Sequence, residues 1–344
     1  MRRLLASGAN PRSDDGRETP LHLAARHGPL ELVEALIEGD ALDWLTDANG
    51  RTALEVARAG TARDRDAIVA LLDRERIADA SFAAAVAAIH TGDVADLERL
   101  IDAEPRLLRE RILGPQAYRN AKRAQYFRDP KLFWYVANNP VTVARMASNI
   151  CAVAETMLAR GIERADLDYT LELVMSGNAA REQGLQRPLM TLLLGAGATA
   201  TPRAIETAAA HGELDALRAL TEAGHTLTPT IAAALGQTEA LSRLLRSSDP
   251  TAIQSAFGIA VINGNVEAAK LALAAGADIN APMPAHTHTT ALHQAVLQEN
   301  VALLRLLLAN GASTERRDTL WDATPLQWAI HQDRPIARKL LEQT

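Results

Sequence analysis

The sequence predicts an all-α solenoid of about ten stacked helix–turn–helix units, with short β-hairpin tips and degenerate units in the middle. Three observations carry this. A threonine-led apolar motif recurs at both ends of the chain, from Thr19 to Thr52 and from Thr290 to Thr324, a period of about 33 residues. A run of Leu and Ala closing on glycine recurs between those motifs. The composition is 48% hydrophobic but only 3% aromatic, with much of the apolar content in Ala and Leu. Such a mixture suits closely packed helices better than a sheet of β-branched and aromatic residues.

In chain order, Leu4-Leu5-Ala6-Ser7-Gly8-Ala9-Asn10 reads as the end of a second helix. The first unit is therefore truncated: it either continues upstream or forms an atypical cap. The first complete unit opens on Thr19-Pro20-Leu21-His22-Leu23-Ala24-Ala25-Arg26-His27-Gly28. Thr19 can cap a helix, and Pro20 stands where its missing N–H costs nothing. Leu21, Leu23, Ala24 and Ala25 allow neighbouring helices to approach closely. Gly28 is expected to stop the helix in a left-handed cap. A second helix follows over residues 30–37, with Leu32, Val33, Leu36 and Ile37 at helical spacing and Gly39 as its stop. Residues 46–51 read as a hairpin tip turning on Asn49-Gly50. The motif then returns, one period after Thr19, as Thr52-Ala53-Leu54-Glu55-Val56-Ala57.

Residues 84–108 give a helix pair around His90-Thr91-Gly92-Asp93, and residues 131–165, 170–199, 203–227 and 229–249 give one each. Residues 251–280 pair around Asn263-Gly264-Asn265. The last two units open on Thr290-Ala291-Leu292-His293-Gln294-Ala295 and, one period on, Thr324-Pro325-Leu326-Gln327-Trp328-Ala329. The final stretch carries Arg338, Lys339 and Glu342, as a solvent-facing cap requires.

These motifs, with the endings Leu192-Leu193-Leu194-Gly195-Ala196-Gly197-Ala198, Leu273-Ala274-Ala275-Gly276-Ala277-Asp278 and Leu307-Leu308-Ala309-Asn310-Gly311-Ala312, resemble ankyrin repeats. The resemblance is strong at both ends and degenerate between them. Residues 132–139 with 152–158 also resemble divergent units of bacterial ankyrin-repeat proteins. The resemblance implies a non-catalytic protein–protein interaction scaffold. The domain organisation expected is residues 1–113 as N-terminal repeats, 114–130 as an insertion and 131–344 as divergent, then clear, C-terminal repeats.

Stacked repeats build an elongated concave surface from tips and first helices. The residues so placed are Asp15, Arg17, Glu18 and Arg26; Asn49, Arg51, Glu55 and Arg58; His288, Gln294 and Gln298; Trp321, Asp322, Gln327 and His331. Trp321 stands out, because a tryptophan on a polar tip is unfavourable unless it binds a partner or packs on the neighbouring tip.

Net charge is −6, from 36 basic and 42 acidic residues. That gives no overall basic field of the kind a DNA-coating protein needs, so nucleic acid is not the expected partner. There is 1 cysteine, Cys151, hence no internal disulfide and no sign of an oxidising compartment. No stretch approaches a membrane span, and the N-terminal apolar run is too short for a signal segment. The expectation is a cytoplasmic monomer.

One region interrupts the repeat. Residues 104–135 hold Tyr118, Tyr126, Phe127, Phe133, Trp134 and Tyr135, half of the chain's Phe, Trp and Tyr. They also hold Arg106, Arg109, Arg111, Arg119, Lys122, Arg123, Arg128 and Lys131. Leu132, Phe133, Trp134, Val136 and Ala137 read as a buried first helix. Tyr118, Arg119, Arg123 and Arg128 form a second candidate contact set, for an acidic partner or nucleic acid bound around residues 106–131.

No nucleophile elbow, Walker loop or dinucleotide fingerprint is present, and no catalytic residue, cofactor site or metal site is expected. Cys151 reads as a buried small apolar residue. His286 and His288 lack the further ligands zinc wants. His22 and His293 occupy the motif position that bonds to backbone. His27, His90 and His211 stand near helix ends, where the dipole favours positive charge.

Overall fold

An α-helix leaves four N–H groups free at its start, and most of the described pairs open on a threonine or aspartate that helps to satisfy them. The computed structural model describes residues 17–39, 41–43, 45–73, 77, 79–112, 125–127, 129–283 and 285–344. Thr52 Oγ1 accepts from Glu55 N at 3.3 Å, and the Glu55 carboxylate accepts from Thr52 N at 2.6 Å. Thr324 and Gln327 repeat this exchange at 3.3 and 2.8 Å. At Thr19 and Thr290 the residue three positions on is a histidine. His22 Nδ1 accepts from Thr19 N at 3.2 Å and from the Thr19 hydroxyl at 2.8 Å, while Nε2 meets the Arg51 carbonyl at 2.9 Å. A ring nitrogen facing a carbonyl must carry the proton, so both contacts call for the Nε2–H form. His293 makes the same set with Thr290 and the Ala323 carbonyl.

The helix pairs fall into two compact units, Met1–Ala198 and Thr199–Thr344. In the first unit the described pairs are Pro20–His27 with Leu30–Glu38, Ala53–Ala59 with Arg65–Leu72, and Ala80–Thr91 with Val94–Ala103. The 3₁₀ helix Leu132–Ala137 with Ile150–Leu158, and Arg164–Met175 with Gln186–Gly195, complete it. In the second unit they are Pro202–Ala210 with Leu214–Glu222, Pro229–Ala234 with Thr238–Leu245, and Pro250–Ile262 with Val266–Ala274. Ala291–Gln298 with Val301–Ala309 and Pro325–His331 with Pro335–Leu341 follow. In the second unit first helices stack on first helices and, from Thr238–Leu245 onward, second helices on second. Alanines make this close approach possible: Ala208, Ala209, Ala232, Ala233, Ala256, Ala260 and Ala295 are all buried along the stack of first helices. The first two pairs share a core of Leu21, Ala24, Ala25, Val33, Leu36, Ala53, Ala57, Ile68, Leu71 and Leu72.

The structure corrects the sequence-based expectations at four points. Among the described residues there is no strand; the tip at residues 46–52 is reduced to one isolated antiparallel bridge, Thr46 to Thr52. Gly28 is not left-handed: its φ is −81° and its ψ 165°. It is needed for space, since a Cβ there would lie 2.8 Å from the Ala24 carbonyl oxygen. Residues Leu132–Ala137 are all buried, as expected, but as a 3₁₀ helix. Six consecutive apolar side chains pack on every side, because the segment touches Ala80–Thr91, Ile150–Leu158, Arg164–Met175 and the 3₁₀ turn Pro105–Leu108. Finally, burial overrides the helix dipole at His90, whose pKa is pushed down to about 4.

Two outcomes follow. Leu21→Asp places an unpaired carboxylate in a fully buried position and should cost about 3 kcal/mol or more, unfolding the neighbouring pair as well. Leu326→Asp, in the half-buried terminal pair, should cost less. Thermal melts of both variants check this ordering. Second, an unfolded His90 titrates near 6.5 and the folded one near 4, so between these values the unfolded chain binds more protons. The contribution of His90 to stability should therefore fall as pH drops from 6.5 to about 4, by on the order of 2 kcal/mol, and level off below, where the Asp47 and Asp318 carboxylates begin to lose theirs. His293, whose pKa burial also lowers, adds to the same trend. His90→Gln should make melting less pH-dependent in this window.

Candidate functional site

The last tip is organised by one carboxylate. Asp318 Oδ1 accepts from Leu320 N and Trp321 N, both at 2.8 Å. Its Oδ2 accepts from Ala323 N and from Trp328 Nε1, both at 3.0 Å. Burial pushes the Asp318 carboxyl up, but the donors from Trp321, Trp328, Leu320 and Ala323 together outweigh it and hold the pKa at about 2. The backbone closes from Asp318 N to Ala323 O at 3.0 Å, and Thr319 N donates to His288 O of the preceding tip at 2.9 Å. A carboxylate here takes the N–H groups that a strand partner would take, which is why the expected hairpin is replaced by a side-chain-closed loop.

This fixed loop holds two large apolar side chains in water: Leu320 is 62% exposed and Trp321 66%. Trp321 still has neighbours. Its ring meets His288 edge-on at 5.9 Å and Trp328 at 5.5 Å, and Trp328 meets His293 at 5.2 Å. Trp321 thus packs on the preceding tip and remains open on its other side. Ile330, on the helix behind, is 53% exposed. The residues three before the turn in the preceding helices of this unit, Val296, Val261, Ala233 and Ala209, are all fully buried. Asp47 does for the tip at residues 47–51 what Asp318 does here: it accepts from Asn49 N and Arg51 N at 2.9 Å and from the Arg51 guanidinium at 2.8 Å. The Arg51 side chain and backbone N–H hold its carboxyl well below the usual range. The sequence does carry a signal for these brackets. An aspartate stands five residues before Thr52 and six before Thr324; Asp14 stands five before Thr19 but lies outside the described residues.

The other expected contact residues differ in how they are placed. Asp322, Gln327 and His331 are exposed, although Gln327 also closes its helix cap, and His288 is half-buried against Trp321. Arg17 and Asn49 are exposed. Arg26, Arg51 and Arg58 are committed to Glu18, Asp47 and Asp73 at 2.6, 2.8 and 2.9 Å, so they brace the fold before they meet anything else. Gln294 is corrected: it is buried and donates to Thr289 Oγ1 at 3.0 Å, so it forms part of the frame. Tyr118, Arg119, Arg123 and Arg128 lie outside the described residues, as does Lys122.

The described part of the interruption is mixed: Phe127, Lys131 and Leu132–Ala137 are buried, whereas Tyr126 is 40% exposed and Arg109 and Arg111 are exposed. The chain leaves at Ile112 and returns at Pro130, tied by Ile112 N to Pro130 O at 2.8 Å. Phe127 is buried against Trp134 and Tyr135 at 6.1 and 5.2 Å, and Trp134 meets Tyr169 at 4.5 Å with the rings tilted by 56°. Lys131 is buried beside Asp166 at 3.4 Å, and Asp166 accepts from Trp134 Nε1 at 3.2 Å. Arg111 lies over the Trp134 ring at 5.1 Å, and Arg106 is held by Asp79, Glu104 and Glu110. These cations belong to the joint. Cys151 is half-buried, a correction to the fully buried expectation; burial, with Glu155 nearby, raises its pKa and keeps it a thiol. Among the described residues no group of three or more His, Cys, Asp or Glu is placed to hold a metal, and no helix is long and apolar enough to cross a membrane.

Comparison with known proteins gives one family. A model described as ankyrin repeats in three copies matches residues 1–82, 229–318 and 257–344, together more than half of the chain. No curated protein matches the sequence.

The Asp318 bracket makes its own prediction. Asp318→Asn replaces one acceptor oxygen with a donor facing N–H groups and should cost about 2 kcal/mol. Amide exchange at Leu320, Trp321 and Ala323 should accelerate more than at Leu303 or Leu304 of the adjacent pair. Equal acceleration everywhere would mean that the carboxylate does not organise the tip.

Proposed function

As this chain belongs to the ankyrin-repeat family, we propose that it is a non-catalytic scaffold that binds another protein, with its main anchor at the tip of the last helix pair. One observation carries this: Leu320 and Trp321 are both more than half exposed on a loop whose backbone is already fixed. Exposed apolar groups on a rigid support lose little conformational entropy when a partner covers them, which is the usual make-up of a binding hot spot. Asp322, His331 and His288 would supply the polar rim, and Arg17 and Asn49 further contacts in the other compact unit. Such a scaffold needs no cofactor.

The insertion at residues 106–131 has less support as an interface, because Arg106, Arg111 and Lys131 are engaged within the fold. The test uses the full chain as bait in its native cytosol, followed by affinity measurement on the captured protein. Trp321→Ala should weaken that affinity about 30-fold or more, the magnitude of a hot-spot loss. A variant with Arg119, Lys122, Arg123 and Arg128 changed to Ser should bind normally. The reverse pattern, with nucleic acid co-purifying, would transfer the function to the insertion.

A further inference from the structure

The second compact unit contains a first helix too short for its neighbours. Pro229–Ala234 has 6 residues, against 9 in Pro202–Ala210 and 13 in Pro250–Ile262. At about 1.5 Å per residue it falls short of them by about 4 and 10 Å. The three C-terminal ends are held level. Each helix is followed by a positive-φ glycine, Gly212, Gly236 or Gly264. Asn265 Nδ2 donates to the Ala233 and Ala234 carbonyls at 2.8 and 2.9 Å, and Asn263 Nδ2 to the Ala209 carbonyl at 2.8 Å. The missing length therefore falls at the N-terminal end. There the two flanking helices meet across the short one: Ser255 Oγ donates to Glu206 Oε1 at 3.1 Å, with Thr230 Oγ1 at 3.5 Å from Ser255 Oγ. What results is a recess of about 340 Å³ lined by Glu206, Asp249, Thr251, Ala252, Gln254 and Ser255.

The lining has one sign of charge, two carboxylates and no Lys, Arg or His. Each carboxylate has one oxygen engaged, Glu206 Oε1 by the Ser255 hydroxyl and Asp249 Oδ1 by Ala252 N at 2.9 Å. The second oxygen of each has no protein donor among the described residues. Gln254 is tied in both directions to the Asp278 backbone at 3.1 and 2.9 Å and forms a fixed wall. A part-enclosed site with two carboxylate oxygens that face water without a protein donor, and a threonine hydroxyl, matches a planar group with several N–H donors and a positive charge.

We propose that this recess binds the guanidinium group of an arginine on the partner polypeptide, with Glu206 and Asp249 as its acceptors. This deepens the scaffold reading, on which it rests for the partner being a polypeptide, by naming the chemistry of one partner side chain. The probes are Nα-acetyl-arginine amide and its uncharged counterpart, Nα-acetyl-citrulline amide, titrated into the ¹⁵N-labelled full chain. Saturable amide shifts confined to Glu206, Thr230 and residues 251–255 are expected with the arginine probe, at an affinity at least tenfold above that of the citrulline probe. Glu206→Gln should remove that preference. So should Asp249→Asn, which retains a good helix cap and keeps the test valid if the first variant is unstable. Trp321→Ala should leave it unchanged. Equal responses to both probes, no saturable response, shifts scattered over other acidic residues, or an unaltered preference in both carboxamide variants would overturn the proposal. If the arginine probe seats as expected while partner capture ignores Trp321, the recess stands and the tip anchor falls.

Discussion

A first helix in this chain cannot satisfy its own ends, and its neighbour does so for it. The last carbonyls of a helix have no partner within it. Here the next pair supplies donors: Gln298 Nε2 to the Val261 and Ile262 carbonyls at 3.0 and 2.7 Å, and Asn265 Nδ2 to Ala233 and Ala234. In the first compact unit Asn149 Nδ2 reaches the Gly92 carbonyl at 2.8 Å. At the other end of the helix, the motif histidines donate to the tip that follows, His22 to Arg51 and His293 to Ala323. Alanine cores allow close approach but would tolerate sliding; these directional bonds at helix ends set the register along the stack.

Once register is set at the turn end, differences in helix length must appear at the tip end. This is how a chain of similar pairs acquires local character without any motif for it. The short helix Pro229–Ala234 opens the recess at Glu206 and Ser255. At the last pair, a tip one residue longer than the tip before Thr52 carries Leu320 and Trp321 outward while Asp318 holds its backbone. In the last pair Arg338 is exposed at the position that Leu304 buries one pair earlier.

The middle of the first unit is held differently. Its first helix is a 3₁₀ turn packed on all sides by Phe127, Tyr169 and the flanking helices, with Lys131 and Asp166 paired beneath it. Desolvation offsets much of the attraction in such a pair, so its main effect is to make any other placement of Lys131 costly. Phe127, Phe133, Trp134 and Tyr135 are therefore packing material for this part of the fold.

The sequence by itself determined the repeat, because its signals are local. Thr52 with Glu55 and Thr324 with Gln327 are complete capping pairs within a single helical turn, the steps from Thr19 to Thr52 and from Thr290 to Thr324 set the period, and runs of Leu and Ala before glycine mark the helix ends. It also singled out Trp321 as the residue to explain. It did not determine which polar residues are free to meet a partner. Arg26, Arg51, Arg58 and Gln294 look like surface groups in the chain, yet their partners Glu18, Asp47, Asp73 and Thr289 claim them once the helices are stacked. The 3₁₀ turn, the neutral His90 and the recess likewise exist only after packing. The physical reason is that caps and periods depend on regular spacing within one or two turns, whereas ion pairing depends on how the connecting turns fold back, even over the 4 to 15 positions that separate these partners, and burial and cavity shape on helices further along the chain.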